Sequence, residues 1–330
     1  RYGLVLGTND HRYTYGTGLF LMALDASGTP SRSTGVDYDG DTADDTFLEV
    51  AQDAVDWLAF AQGDVGVNEG GWYYSADSTG TPSTFEVAGT TNTGNSNCGF
   101  AVLGLDAAES FGCTVPGWIK TELDVWIDQI QDPVNGDTND GGSWYLTDWE
   151  WVNLLKTGNL IFEMTFVGDN PTTPRFQDAL DYITRHWQDM NQDPGWGYGG
   201  QANYLSMYCL MKGFEYSGIE LIDHDGDTVV DHDWFVEFAQ VIVDQQQIGG
   251  YWTGGEWGDN FLNTVWALLT LERIAPPPPI DVTKDFRYTS VDFTPYHWVD
   301  PDPDVIGDEY MVQDPAILGD LLPMDADDNY

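Results

Sequence analysis

Two near-identical hexapeptides carry the residues best suited to chemistry. Asp37 to Thr42 reads DYDGDT and Asp223 to Thr228 reads DHDGDT. Each has aspartate at positions 1, 3 and 5 and glycine at position 4. Alternating carboxylates on a tight turn offer three hard oxygen ligands to one point, which is the donor set of Ca2+. A later acid can close the shell: Asp45 at position 9 of the first loop, Asp231 at 9 and Asp233 at 11 of the second. The expected ligands are therefore Asp37, Asp39, Asp41 and Asp45, and Asp223, Asp225, Asp227, Asp231 and Asp233, with Ca2+ as the cofactor. NGDTND, Asn135 to Asp140, is a weaker third candidate. The plain alternative is a solvated acidic loop in an acidic chain.

A second set is aromatic. Glycine and tryptophan recur together in EGGWYY at Trp72, DGGSWY at Trp144, DPGWGYGG at Trp196 and IGGYW at Trp252. Tryptophan rings suit the apolar faces of glycans, so these four are the candidate binding residues; the competing role is to brace the fold. Asp148, Glu150, Glu256 and Asp259 lie near such loops and could line a sugar-binding or hydrolytic cleft. Glu163 sits in the apolar run LIFEMTF, where burial would raise the pKa of its carboxyl. It is either a functional acid or a protonated core residue.

The elements that must position these residues repeat. TGLFLMALDAS (Thr17 to Ser27) is matched by CGFAVLGLDAA (Cys98 to Ala108). Before each tryptophan loop lies an amphipathic stretch, with Leu48, Ala51, Val55 and Leu58 at helical spacing in one and Phe176, Leu180, Ile183 and Trp187 in another. After each comes a stretch apolar nearly all round, such as Leu154 to Val167 or Tyr204 to Phe214. Outer amphipathic and inner buried helices predict an all-α fold, an α/α toroid (a barrel of helical hairpin repeats). It spans residues 1–274, with an inner helix near 17–27 and helix pairs at about 43–111, 117–167, 174–217 and 231–273. No helical period is read in the stretch before Thr17. Residues 275–330 form a proline-rich linker, Pro276 to Pro279, and an extended acidic and aromatic tail.

QQIGGYW (Gln246, Gly250, Trp252) has the glutamine, three residues, glycine, one residue, tryptophan pattern of the prenyltransferase and squalene-cyclase repeat superfamily. Gln62 to Trp72, Gln131 to Trp144 and Gln188 to Trp196 match with insertions. Residues 13 to 274 resemble that superfamily, and the resemblance implies a terpene-cyclase-like toroid in which the motifs brace helix ends. Its catalytic motifs are incomplete. Where the cyclases carry Asp-x-Asp-Asp, this chain has DTADDT, with Thr42 in the place of an acid. Where the protein prenyltransferases carry a zinc-binding Asp two residues before Cys, Ser96 precedes Cys98. Gly99 and Phe100 follow Cys98 where the thioester proteins continue Gly-Glu-Gln. The Asp-rich loops resemble dockerin-type and EF-hand-like loops, with Thr42 and Thr228 at the sixth position, where glycine is usual, and with no acid at the twelfth.

Composition narrows the function classes. There are 55 Asp and Glu against 11 Lys and Arg, a net charge of −44, so nucleic acid and anionic membranes are poor partners and bound cations good ones. No apolar run is long enough to span a membrane. Cys98 and Cys113 bracket a helix of about 22 Å, too far apart for a disulfide, and Cys209 reads as a buried thiol. The expected location is extracellular or at the cell surface, with a leader already removed ahead of Arg1. The expected function is that of a calcium-stabilised structural or assembly protein, such as a subunit of an extracellular filament or surface layer, that self-associates through its tail and the open end of the toroid. The alternatives are a module binding glycans or apolar ligands, and an enzyme of the cyclase or polysaccharide-active class.

Overall fold

The computed structural model describes residues 13–37, 40–63, 66–74, 93–254 and 259–273, and the backbone of 296–299 and 310–313. The chain divides within the proline run into Arg1–Pro277 and Pro278–Tyr330. Among the described residues the first unit is mostly helical: α1 (Tyr13–Ala26), α2 (Phe47–Ala61), α3 (Asn95–Phe111), α4 (Gly117–Ile130), α5 (Leu154–Val167), α6 (Pro174–His186), α7 (Tyr204–Ser217), α8 (Trp234–Gln245) and α9 (Asn260–Leu271). Two short strands, β1 (Leu221–Ile222) and β2 (His232–Asp233), pair antiparallel across the second Asp-rich loop, with Ile222 opposite His232.

The sequence writes the helix ends. Thr46 and Glu49 form a reciprocal capping box at the start of α2. Asn153 and Asn203 cap α5 and α7, and Asp233 and Asp259 cap α8 and α9. The inner helices α3, α5 and α7 stop at Gly112, Gly168 and Gly218, each in the left-handed region, where a side chain would be strained.

The odd-numbered helices form a contiguous inner series, α1 on α3, α3 on α5, α5 on α7 and α7 on α9; the even-numbered ones pack outside them. Inner helices further apart in the series also meet: the Tyr216 hydroxyl of α7 donates to Asp106 of α3, and the rings of Phe100 and Trp266 lie 6.1 Å apart, joining α3 to α9. Glycines permit the closest crossings. A Cβ on Gly18 would fall 2.1 Å from the Phe100 carbonyl oxygen, and one on Gly104 would fall 2.5 Å from the Gly18 Cα. Gly213 approaches Gly158 in the same way between α7 and α5.

The first inner helix begins at Tyr13, four residues earlier than the apolar period indicated. Thr14 is fixed by tertiary contacts, its N–H donating to the Tyr74 carbonyl and its hydroxyl to that of Tyr73. In the second unit, β3 (Tyr296–Val299) pairs antiparallel with β4 (Tyr310–Gln313), Tyr296 opposite Gln313. These strands fall within the segment expected to be extended; the run Phe286 to Phe293 lies outside the described residues.

Candidate functional site

The tryptophan loops are built as braces. Gln62, at the C-terminus of α2, donates through its side-chain amide to the carbonyls of Gly70 and Ile119, tying its own loop to α4. Gln131, at the end of α4, does the same to Gly141 and Arg175, tying its loop to α6. Trp72 donates its indole N–H to Leu58 and Trp252 to Ile242, in each case the carbonyl one turn before the capping glutamine. Trp72, Trp196 and Trp252 are buried and Trp144 is half-buried, its indole held by Asp132 at 2.5 Å. Of the four expected binding residues, Trp72, Trp196 and Trp252 therefore present no ring face to solvent, and Trp144 presents part of one. A further aromatic cluster, with Trp149 exposed, follows Trp144 in the same connection between α4 and α5. Trp149 and Trp151 stack at 5.5 Å, Tyr145 meets Trp149 edge-on at 5.2 Å, and the Lys156 ammonium sits 3.6 Å over Trp151. Asp148 and Glu150 are exposed beside them. Asp259 caps α9 instead of facing a cleft, and Glu256 lies outside the described residues.

The two Asp-rich loops fold alike. Asp37 Oδ1 accepts from Gly40 N–H and Oδ2 from Thr42 N–H; Asp223 accepts from Gly226 and Thr228 with the same division of oxygens. Asp41 accepts from Ala43 N–H as Asp227 does from Val229 N–H. Gly40 and Gly226 have φ of 82° and 78°. Thr42 and Thr228, where the resemblance calls for glycine, have φ of 85° and 71°, an uncommon conformation for a β-branched residue.

In the second loop Asp223, Asp225 and Asp227 each bring a carboxylate oxygen within 4.8 Å of the others, close enough to share one cation. Asp233 does not join them, because its carboxylate caps α8 by accepting from Phe235 and Val236 N–H. Asp231 points instead toward His232, at 3.7 Å. In the first loop Asp39 lies outside the described residues, and Asp45 is joined to Val36 and Thr34 through its backbone. Near the weaker third candidate, Asp137 and Asp140 converge with Asp132, a residue that spacing alone did not single out.

Glu163 lies on α5, fully buried and with neither oxygen hydrogen-bonded, and burial pushes its carboxyl well above the usual carboxylate range. The Cys98 thiol is pushed up by burial and by the Glu163 charge, and Cys98, Cys113 and Cys209 are free. The structure adds Lys212 on α7, missed in the sequence because helical lysines usually extend into solvent. It is fully buried, its ammonium lies 4.2 Å over Tyr208, and desolvation lowers its pKa from 10.5 to about 7. Comparison with protein-family models finds no match, and none is found among curated proteins.

Proposed function

We propose that this chain is an α/α toroid of the calcium-stabilised kind that serves outside the cell as a structural subunit and assembles with copies of itself. The observation that carries this reading is the surface of the last helix pair. In the earlier repeats the loop glycine abuts the next outer helix: a Cβ on Gly70 would strike the Glu122 carbonyl of α4, and one on Gly141 that of Asp178 in α6. At the equivalent Gly250 a Cβ would meet nothing within 4 Å. Around it Val236, Val243 and Ile248 on α8 and its loop, and Phe261 and Leu268 on α9, are exposed. Such an apolar surface marks an interaction site more often than a free face, and it is the face that a further repeat would cover.

A two-stranded hairpin such as β3–β4 is marginal alone and gains by adding strands from a partner. In sedimentation velocity, the full chain in calcium and moderate salt should form assemblies, and Val243→Asp with Phe261→Asp should return it to monomer. A full chain that sediments as a monomer at micromolar concentration ends the assembly reading.

A second reading is supported by the Tyr145, Trp149 and Trp151 cluster, in which the exposed Trp149 and the half-buried Tyr145 and Trp151 lie beside the carboxylates Asp148 and Glu150 in the way that suits the hydroxyls and apolar faces of a glycan. Titration of soluble polysaccharides should quench tryptophan fluorescence in the parent chain and fail to do so in Trp149→Ala. No quenching with any polysaccharide would remove this reading.

A further inference from the structure

His224 is the second residue of the second Asp-rich loop, and its side chain is only 2% exposed. The hairpin β1–β2 returns the chain so that His232 lies beside it, the imidazole centroids 3.8 Å apart. Glu237, in the first turn of α8, presents Oε1 to both rings. His224 Nε2 is 2.7 Å from that oxygen and His232 Nδ1 is 3.5 Å from it. The three donor atoms lie within 4.8 Å of one another. From these positions we infer that His224, His232 and Glu237 form a site for a divalent transition metal ion of the zinc class, separate from the calcium loop above it.

The donor chemistry separates the two sites. Neutral imidazole nitrogen with one carboxylate suits zinc and its neighbours, whereas the three aspartates offer oxygen alone. Ligands about 2.0–2.1 Å from a tetrahedral zinc stand roughly 3.3 Å apart, so the His232 distance already fits and the His224 distance must open by about half an ångström.

Each ligand has an outer partner that fixes its orientation, as metal ligands usually do. The second oxygen of Glu237 accepts from the Trp187 indole N–H at 2.8 Å. The far nitrogen of His232 faces Asp225 at 3.5 Å, which aims Nδ1 at the site. The far nitrogen of His224 lies 3.0 Å from the Gln188 side-chain amide. Turning that amide over, a change that leaves its shape the same, puts its oxygen on Nδ1–H and frees the Nε2 lone pair for the metal. Three protein ligands leave a fourth position for water. His232, at 30% side-chain exposure, gives the route in.

The test uses the full chain in saturating CaCl2, so that the acidic loops are filled. Calorimetric titration with ZnCl2 should show one equivalent bound, and Co2+ should give the visible d–d bands of a low-symmetry nitrogen and oxygen site, bleached by zinc. His224→Gln and His232→Gln should each weaken zinc about 100-fold or more, and Asp244→Asn, at an exposed carboxylate of α8 outside both groups, should leave it within about threefold. Because a variant can fail to fold, proton NMR of the parent chain gives an independent reading: of its five histidines, His11, His186, His224, His232 and His297, only His224 and His232 should shift with the first equivalent. Absence of a stoichiometric zinc site, or a site indifferent to both histidine variants, or shifts confined to the other three histidines, overturns the assignment. The calcium and assembly readings stand or fall separately.

Discussion

Stripping calcium should lower the melting temperature of the full chain by about 10 °C, and adding calcium should restore it. A ligand that binds only the folded state at a hundred times its dissociation constant adds about 2.7 kcal/mol, so two filled loops add about 5 kcal/mol. A domain of this size moves by about 2 °C per kcal/mol. The loops start close to a binding geometry, since Asp37 and Asp223 already hold the turn through the same pair of backbone N–H groups. The left-handed threonines at 42 and 228 are a local cost that a bound ion would offset. The comparison must hold ionic strength fixed, because a net charge of −44 responds to any salt. Asp37→Asn and Asp223→Asn should each remove about half of the effect. Identical melting curves with chelator and with calcium would end the calcium reading.

The helical layers were legible because burial leaves a period. Leu48, Ala51, Val55 and Leu58 fix the inward stripe of α2, and all but Leu48 are fully buried. The bracing role of Gln62 and Gln131 was legible only through the resemblance that their spacing to glycine and tryptophan carries. The convergence of Asp223, Asp225 and Asp227 was legible because the three carboxylates come from one short segment. What sequence could not reveal is convergence across segments. His224, His232 and Glu237 meet only because the short β1–β2 pairing and the first turn of α8 fold them together, and no helix or strand period links them. Spacing also misplaced Asp233: position 11 of a loop is here the N-cap of a helix, and the unpaired N–H groups there take the carboxylate first. The repetition of the loop tryptophans goes with packing, since Trp72, Trp196 and Trp252 are buried, and the exposed Trp149 stands just outside the repeated pattern.

The inner helices hold the larger surprise, and with it the second large effect. Replacing Lys212 by Met should stabilise the protein at pH 6 by about 3–5 kcal/mol. Burial lowers the Lys212 pKa from 10.5 to about 7. Below pH 7 the folded chain must therefore carry a desolvated ammonium, at a cost of about 5 kcal/mol relative to the unfolded chain. As pH rises from 7 to 10.5 the unfolded lysine still binds its proton while the folded amine is neutral, so stability rises with pH across that window and the cost vanishes above it. Contacts with Tyr208 and Phe100 return only about 1–2 kcal/mol. The gain from Lys212→Met, measured by urea unfolding, should shrink from pH 6 to near zero at pH 10.5. Glu163 acts with the opposite sign: its raised carboxyl pKa makes the fold lose stability as pH climbs above the ordinary carboxylate range, so Glu163→Gln should help progressively toward alkaline pH. Neither Glu163 oxygen nor the Lys212 ammonium has a hydrogen-bond partner, so the two groups act separately and their effects at pH 7 should add to within about 0.5 kcal/mol. A Lys212→Met chain that is less stable than the parent at pH 6 would refute the predicted gain.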